Sequence, residues 1–123
     1  STWVDACLKY IPAADRWAPI ARPPVWVSGW AAATYRDRYI VVVGGCVGPT
    51  VKPYSNANLW NDLTFVYDTT TDRWGKLTGT IPPAAVYNDS GVVILDDTIY
   101  VVGGEGPRGS HFNHLASGRL RLD

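Results

Sequence analysis

The side chains with the clearest chemical potential are gathered in one short segment, residues 104–114. It contains both histidines of the chain, a carboxylate at Glu105 and a guanidinium at Arg108. Such groups exchange protons or bind anions, and partial burial would raise the pKa of Glu105 towards neutrality. The segment is therefore the first candidate for a catalytic or binding site.

The same segment also allows a purely structural interpretation. Glu105 and Arg108 would then form a local ion pair that braces a glycine-rich turn, while the histidines are solvated. His111 and His114 are three positions apart and could touch one metal ion, but no further ligand lies nearby in the sequence. We therefore predict no metal site.

A second polar segment, residues 52–62, mixes amides, hydroxyls and aromatic rings. Sugars stack their apolar faces on rings and bond their hydroxyls to amides, so Tyr54 and Asn58 are candidate carbohydrate contacts. The alternative is an ordered, turn-rich loop in which Trp60 covers the edge of a sheet.

Both segments follow a double glycine that ends an apolar run, and this arrangement is repeated. Residues 38–45 lie over 97–104 at an offset of 59, and Tyr10 with residues 15–17 lies over Tyr67 with 72–74 at an offset of 57. A period in this range with one strand and two glycines per unit indicates a radial array of small sheets. The glycines allow a close backbone approach and positive φ, and the Tyr and Trp rings fill the space between neighbouring sheets.

The pattern predicts an all-β protein, because no segment has clean helical periodicity. The predicted strands are 7–11, 16–20, 30–36, 39–44, 63–68, 73–77, 90–95, 98–103 and 117–122. With the strands of one unit labelled a to d, the chain reads c-d in 1–20, a complete a-b-c-d unit in 21–78, and a-b-c in 79–123. That is about two and a quarter four-stranded antiparallel blades.

An apolar run, two glycines, a Tyr and then a Trp seven positions later resemble the kelch motif. The resemblance covers nearly the whole chain and implies blades of a β-propeller, in which six or seven surround a channel. Gly104, Glu105 and the turn glycine Gly109 further resemble the N-acetylneuraminate epimerase group, six-bladed sialic acid mutarotases that use a Glu and an Arg of this loop. His111 occupies the position of that Arg, and Arg108 falls where the family tends to have Pro.

This resemblance implies a cofactor-independent sugar mutarotase. Glu105 would take the proton of the anomeric hydroxyl and His111 would protonate the ring oxygen, with Arg108 holding the sugar carboxylate. The candidate substrate contacts are Arg108, Asn113, His114, Tyr54 and Asn58. The alternative function, from another class, is a protein–protein interaction module without catalytic activity.

Two and a quarter blades cannot close a ring, so two apolar faces need partners. Either several copies assemble, with a trimer giving six blades, or the chain is part of a longer propeller. The net charge is zero and the sequence has no basic stripe to neutralise phosphates, and the longest apolar run, 39–43, is too short to span a bilayer. We therefore predict no nucleic-acid or membrane partner. The sequence leaves open the compartment and the redox state of Cys7 and Cys46.

Overall fold

The structure is a computed structural model that describes residues 6–25, 27–47, 61–80, 91–104, 111 and 113–122. These residues form short strands and one turn of 3-10 helix, Pro12–Ala14. The strands are β1 (Leu8–Ile11), β2 (Arg16–Pro19), β3 (Val27–Ser28), β4 (Ala31–Tyr35), β5 (Tyr39–Val43), β6 (Cys46–Val47), β7 (Leu63–Asp68), β8 (Arg73–Thr80), β9 (Gly91–Leu95), β10 (Thr98–Val102) and β11 (Leu115–Arg119).

The strands pair into separate antiparallel sheets in the order that the sequence predicts. The first sheet is β1-β2, the middle sheet is β4-β5-β7-β8, and the last sheet is β9-β10-β11. A fourth, two-residue ribbon joins β3 to β6. These sheets do not close on one another into a ring, which agrees with the prediction of two and a quarter blades.

Three strand boundaries differ from the prediction by more than one residue, because pairing, not composition, sets them. The last strand begins at Leu115 instead of residue 117, since Leu115 pairs with the final residue of β10, Val102. It ends at Arg119, after which the Leu120 N–H donates to the carbonyl of Asp97. β8 continues to Thr80 instead of 77, past an irregularity that re-registers it against β7. The β3-β6 ribbon was not predicted, because two residues per strand leave no periodicity to detect.

The core lies between the middle and last sheets. Alternate side chains of each strand point to the same face, and this alternation gathers Ala31, Tyr35, Val41, Val43, Val66, Ile99, Val101 and Leu120 into one buried cluster. Hydrophobic burial at about 25 cal/mol per Å² of apolar surface makes this contact the main stabilising interaction in the described part of the molecule.

The opposite face of the middle sheet holds an aromatic cluster. The rings of Tyr67 and Trp74 lie 5.2 Å apart, and the Tyr67 hydroxyl donates to Asp72 Oδ1 at 2.7 Å. The backbone of Ala21 is held at two points: its N–H donates to Asp72 Oδ1 at 2.8 Å, and its carbonyl accepts from Trp74 Nε1 at 2.9 Å. Tyr67, Asp72 and Trp74, called the middle clamp below, thus fix the segment that leads from the first sheet into the middle one.

Ion pairs fasten the hairpins at the end of the sheets opposite the double glycines. Arg38 holds Asp68 by two hydrogen bonds, 2.9 Å from Nε and 2.6 Å from Nη2, and the pKa of Asp68 lies well below its usual range, first because of Arg38. Asp97 accepts from Tyr35 and from Arg36, which lower its pKa as well. These carboxylates serve the hairpin turns and do not face the predicted site.

Candidate functional site

The two predicted loops start at the same end of the sheets, which we call the loop end. β5 and β10 both finish there with a double glycine, and all four of these glycines have positive φ. Gly45 shows why: at φ +82° a Cβ would lie 2.4 Å from the Ser28 carbonyl oxygen and 2.5 Å from Val27 Cγ1. The predicted roles of the glycines, positive φ and close backbone approach, are therefore confirmed.

Asn61 closes the first loop and was not predicted. Its side chain is 2% exposed and donates from Nδ2 to the carbonyls of Gly44 and Leu63, at 2.9 and 3.0 Å. Its Oδ1 accepts from the Leu63 N–H at 3.1 Å, and its own N–H donates to the Gly45 carbonyl at 2.9 Å. Its role could have been predicted from its position, because an amide just before a strand that returns beside the double glycine can bond to the backbone there.

The second loop is closed by the backbone instead. The N–H of Gly103 donates to the carbonyl of His114 at 2.8 Å, so the loop leaves and re-enters the last sheet at one point. The register explains the difference: Val102 pairs with Leu115 as Val43 pairs with Thr64. Asn61 lies three residues before Thr64, and the residue three positions before Leu115 is a Phe, at 112. The second loop therefore has no amide at the position of Asn61.

Three of the predicted site residues lie among the described ones. His111, Asn113 and His114 are all exposed, and Asn113 and His114 directly precede β11 at the loop end of the last sheet. Glu105 and Arg108 of the same loop, and Tyr54 and Asn58 of the first, lie outside the described residues. The assignment of these residues to one site therefore stays a prediction.

A cleft of about 560 Å³ opens between the middle and last sheets, beside the core. Its floor is apolar, with Val43, Leu77, Ile99, Val101 and Leu120, and Thr64, Thr78 and Ser117 add hydroxyls. Lys76, Arg119 and Arg121 supply positive charge, and no carboxylate lines the described part of it. β8 forms one wall of the cleft and β11 the other. In the last sheet Ile99 pairs with Gly118, whereas in the middle sheet the equivalent Ile40 pairs with Tyr67. Gly118 therefore occupies the position that Tyr67 has in the middle sheet.

Within the described ranges, no three His, Cys, Asp or Glu side chains approach closely enough to hold a metal ion. Cys7 is a half-buried free thiol. No helix found in the described residues is long and apolar enough to cross a membrane.

No family model matches the sequence. The solved structure of YjhT, one of 83 matching chains, is similar to this one with a TM-score of 0.72 at 16% sequence identity. The match covers 91% of this chain and 40% of YjhT, so the chain spans well under half the length of that protein. The likeness confirms the predicted fold, an all-β propeller segment with sheets that stay open.

Proposed function

We propose that the chain is a kelch-type propeller segment whose loop end binds a sugar acid of the sialic acid class and, in a complete ring, interconverts its anomers. The observation that carries the proposal is the hydrogen bond from Gly103 to the His114 carbonyl, which gathers both ends of the candidate loop at one exposed edge. Loops held on a rigid sheet are where binding residues concentrate.

The proposed chemistry is a pair of proton transfers. Glu105 takes the proton of the anomeric hydroxyl while His111 protonates the ring oxygen, so the ring C–O bond breaks and the open keto form results. Rotation about the freed carbon and reversal of both transfers close the ring on the other face. Arg108 holds the sugar carboxylate, and no metal or cofactor takes part.

His111 is the position at which the proposed site differs from the mutarotases that the sequence resembles. An arginine stays charged at every physiological pH, whereas a histidine changes its charge in that range. The proposal therefore assigns the proton transfer to the ring oxygen to a side chain that those enzymes lack, and an H111R variant should lose that transfer.

Replacing Glu105 by Gln tests the function directly. Anomer exchange of free N-acetylneuraminic acid, followed by NMR, should fall to the uncatalysed rate, because the amide cannot accept the proton. Asp96→Asn is the matched control, since it also replaces an exposed carboxylate by an amide but lies in the turn between β9 and β10, at the opposite end of the sheet from the loop. Exchange that persists undiminished in the Glu105 variant rules out the assignment.

A second function, from a different class, is favoured by one specific observation. Leu8, Tyr10 and Trp17 of the first sheet are large apolar side chains that stand exposed together on a paired hairpin. Such patches mark protein interfaces. A rise in melting temperature with free sialic acids supports the sugar site, and an absent rise together with stoichiometric co-purification of another protein supports the interaction module.

A further inference from the structure

We propose that the cleft between the middle and last sheets binds a hydroxyaryl carboxylate, a flat aromatic ring system with a hydroxyl at one end and a carboxylate at the other. The described lining shares no residue with the proposed sugar site, so this inference goes beyond the sugar chemistry and does not depend on it. The volume of about 560 Å³ is in the range of small-molecule sites. Within the described lining, flat walls, a hydroxyl without a partner and an excess of positive charge specify the ligand.

The two walls of the cleft each carry a glycine that leaves space beside the backbone. A Cβ at Gly79 of β8 would meet no atom within 4 Å, and one at Gly118 of β11 would meet only Ile99 Cγ2, at 3.9 Å. Glycine within a strand is typical of a place that a ligand approaches closely. In the middle sheet the position of Gly118 is filled by Tyr67, which is 5% exposed. The hollow at Gly118 is therefore a property of this residue within its strand, and it has room for a flat ring.

Thr64 supplies a buried hydroxyl to the cleft. Thr64 is 8% exposed, and its Oγ1 takes part in no hydrogen bond with the residues that the structure describes. A buried hydroxyl without a partner is costly, so a polar ligand atom that reaches it gains a hydrogen bond that the protein alone does not provide. Thr64 pairs with Val43, next to the double glycine, and therefore lies towards the loop end. The ligand should carry a hydroxyl at that end, because a hydroxyl can either donate to Oγ1 or accept from it.

The positive charge of the cleft lies towards the opposite end, which we call the hairpin end. Arg119 pairs with Thr98, beside the turn at Asp97, and Arg121 follows two residues later. Lys76 lies in the half of β8 that begins at the hairpin end. Arg119 shares its charge with Asp97, whose pKa it helps to lower. Lys76 and Arg121 are exposed and form no ion pair among the described residues, so they are free to bind a carboxylate at the mouth of the cleft.

A hydroxyaryl carboxylate satisfies all three features together. Its ring lies between the walls at Gly79 and Gly118, its hydroxyl bonds to Thr64 Oγ1, and its carboxylate lies near Lys76 and Arg121. A fatty acid would contact the apolar floor and the cations but would leave the Thr64 hydroxyl without a partner. A sugar acid would press its hydroxyls against an apolar floor that cannot bond to them. Shape, polarity and charge thus favour the aromatic acid over both.

Titration of the whole chain with 6-hydroxy-2-naphthoate, followed through its backbone amide NMR signals, tests the proposal. We expect a dissociation constant of about 1 mM or lower, with shifts at Thr64 and Gly118 and none at Asn113. Two analogues separate the polar contacts. 2-Naphthoate, which lacks the hydroxyl, should bind about two- to tenfold more weakly, and 2-naphthol, which lacks the carboxylate, about tenfold more weakly.

Variants of the lining assign each contact to a side chain. Thr64→Val keeps the shape of the side chain and removes its hydroxyl, so it should weaken 6-hydroxy-2-naphthoate about two- to tenfold and leave 2-naphthoate unchanged. Lys76→Gln should weaken both acids about two- to fivefold. Lys9→Gln is the matched control, because Lys9 is an exposed lysine of the first sheet outside the cleft, and it should change neither affinity.

Gly118→Tyr should fill the hollow from within the chain and abolish the shifts. Gly91→Tyr is its control, since Gly91 pairs with the exposed Val102 and lies outside the cleft lining. If the Gly118 variant does not fold, the comparison of the two acids in the Thr64 variant decides. The proposal is overturned by equal binding of 2-naphthol and the hydroxynaphthoate, or by tighter binding of dodecanoate. Shifts of the same signals with protein concentration alone would place a second copy in the cleft and overturn it as well.

Discussion

Two aromatic clusters of the same construction have different surroundings in this molecule. The rings of Tyr67 and Trp74 are 5.2 Å apart and inclined at 43°, and those of Tyr10 and Trp17 are 5.3 Å apart and inclined at 48°. Tyr67 is nevertheless 5% exposed and Tyr10 44%. Hairpin register alone therefore builds the cluster, because both pairs are directly opposed across two strands. Burial depends on whether another segment lies over the rings.

The pKa values of the two tyrosines reflect the same difference in burial. For Tyr67, burial is the largest cause of a pKa raised to about 12, followed by the hydrogen bond to Asp72. For Tyr10, the hydrogen bond to Asp15 is the largest cause of a raised pKa and burial is secondary. The local hydrogen bond is thus common to both clusters, and the desolvation of the phenol is supplied by the neighbouring segment.

Truncating the two tyrosines gives the largest expected contrast. Tyr67→Ala removes a buried ring and should lower the free energy of unfolding by about 3–5 kcal/mol. Tyr10→Ala should cost about 1 kcal/mol or less, because an exposed ring loses little. Urea unfolding of both variants checks this. Equal losses would show that the first cluster is covered within the single chain.

The next contrast is between two glycines. Gly45→Ala should cost about 2–4 kcal/mol, because its Cβ meets the Ser28 carbonyl at 2.4 Å and φ is +82°. Gly118→Ala should be neutral or stabilising by about 0.5 kcal/mol, since it has space and loses less chain entropy on folding. Melting temperatures of the two variants measure the difference. A tolerated Gly45→Ala would mean that the segment over the middle sheet can move away from the loop end.

The sequence predicts the sheets well because period-two alternation and paired turns are local signals. The run 39–43, its double glycine and the spacing of Tyr67 to Trp74 each specify structure within a few neighbours. The repeat offset then relates one blade to the next, which is why the strand order was predictable from two and a quarter copies.

The parts that escape prediction depend on distant partners. Asn61 acts through the carbonyl of Gly44, seventeen residues earlier, and its residue type alone does not distinguish it from the other amides of the loop. The cleft exists because Gly118 faces Ile99, a relation visible only once the strands are registered. Glu105 and Arg108 stay predictions, since they lie outside the described residues.

A smaller contrast compares the two loop closures. Asn61→Ala removes a buried amide that satisfies the Gly44 and Leu63 carbonyls and should cost about 2 kcal/mol. Asn113→Ala changes an exposed residue of the second loop and should stay within about 0.5 kcal/mol. Thermal unfolding of the two variants measures both losses of stability. Matching losses would show that the second loop also depends on a side-chain amide, in addition to the bond between Gly103 and His114.

The last contrast concerns alkaline pH and again compares the two clusters. The folded pKa of Tyr67, about 12, lies above its ordinary value near 10. The phenol therefore contributes stability that is fully present below pH 10 and is lost as the pH rises from 10 to 12. Tyr67→Phe should remove that part of the pH dependence, whereas Tyr10→Phe should remove less, because burial contributes less to its shift. Unfolding free energies between pH 9 and 11.5 measure both, and a larger change in the Tyr10 variant would place the desolvated phenol in the first sheet.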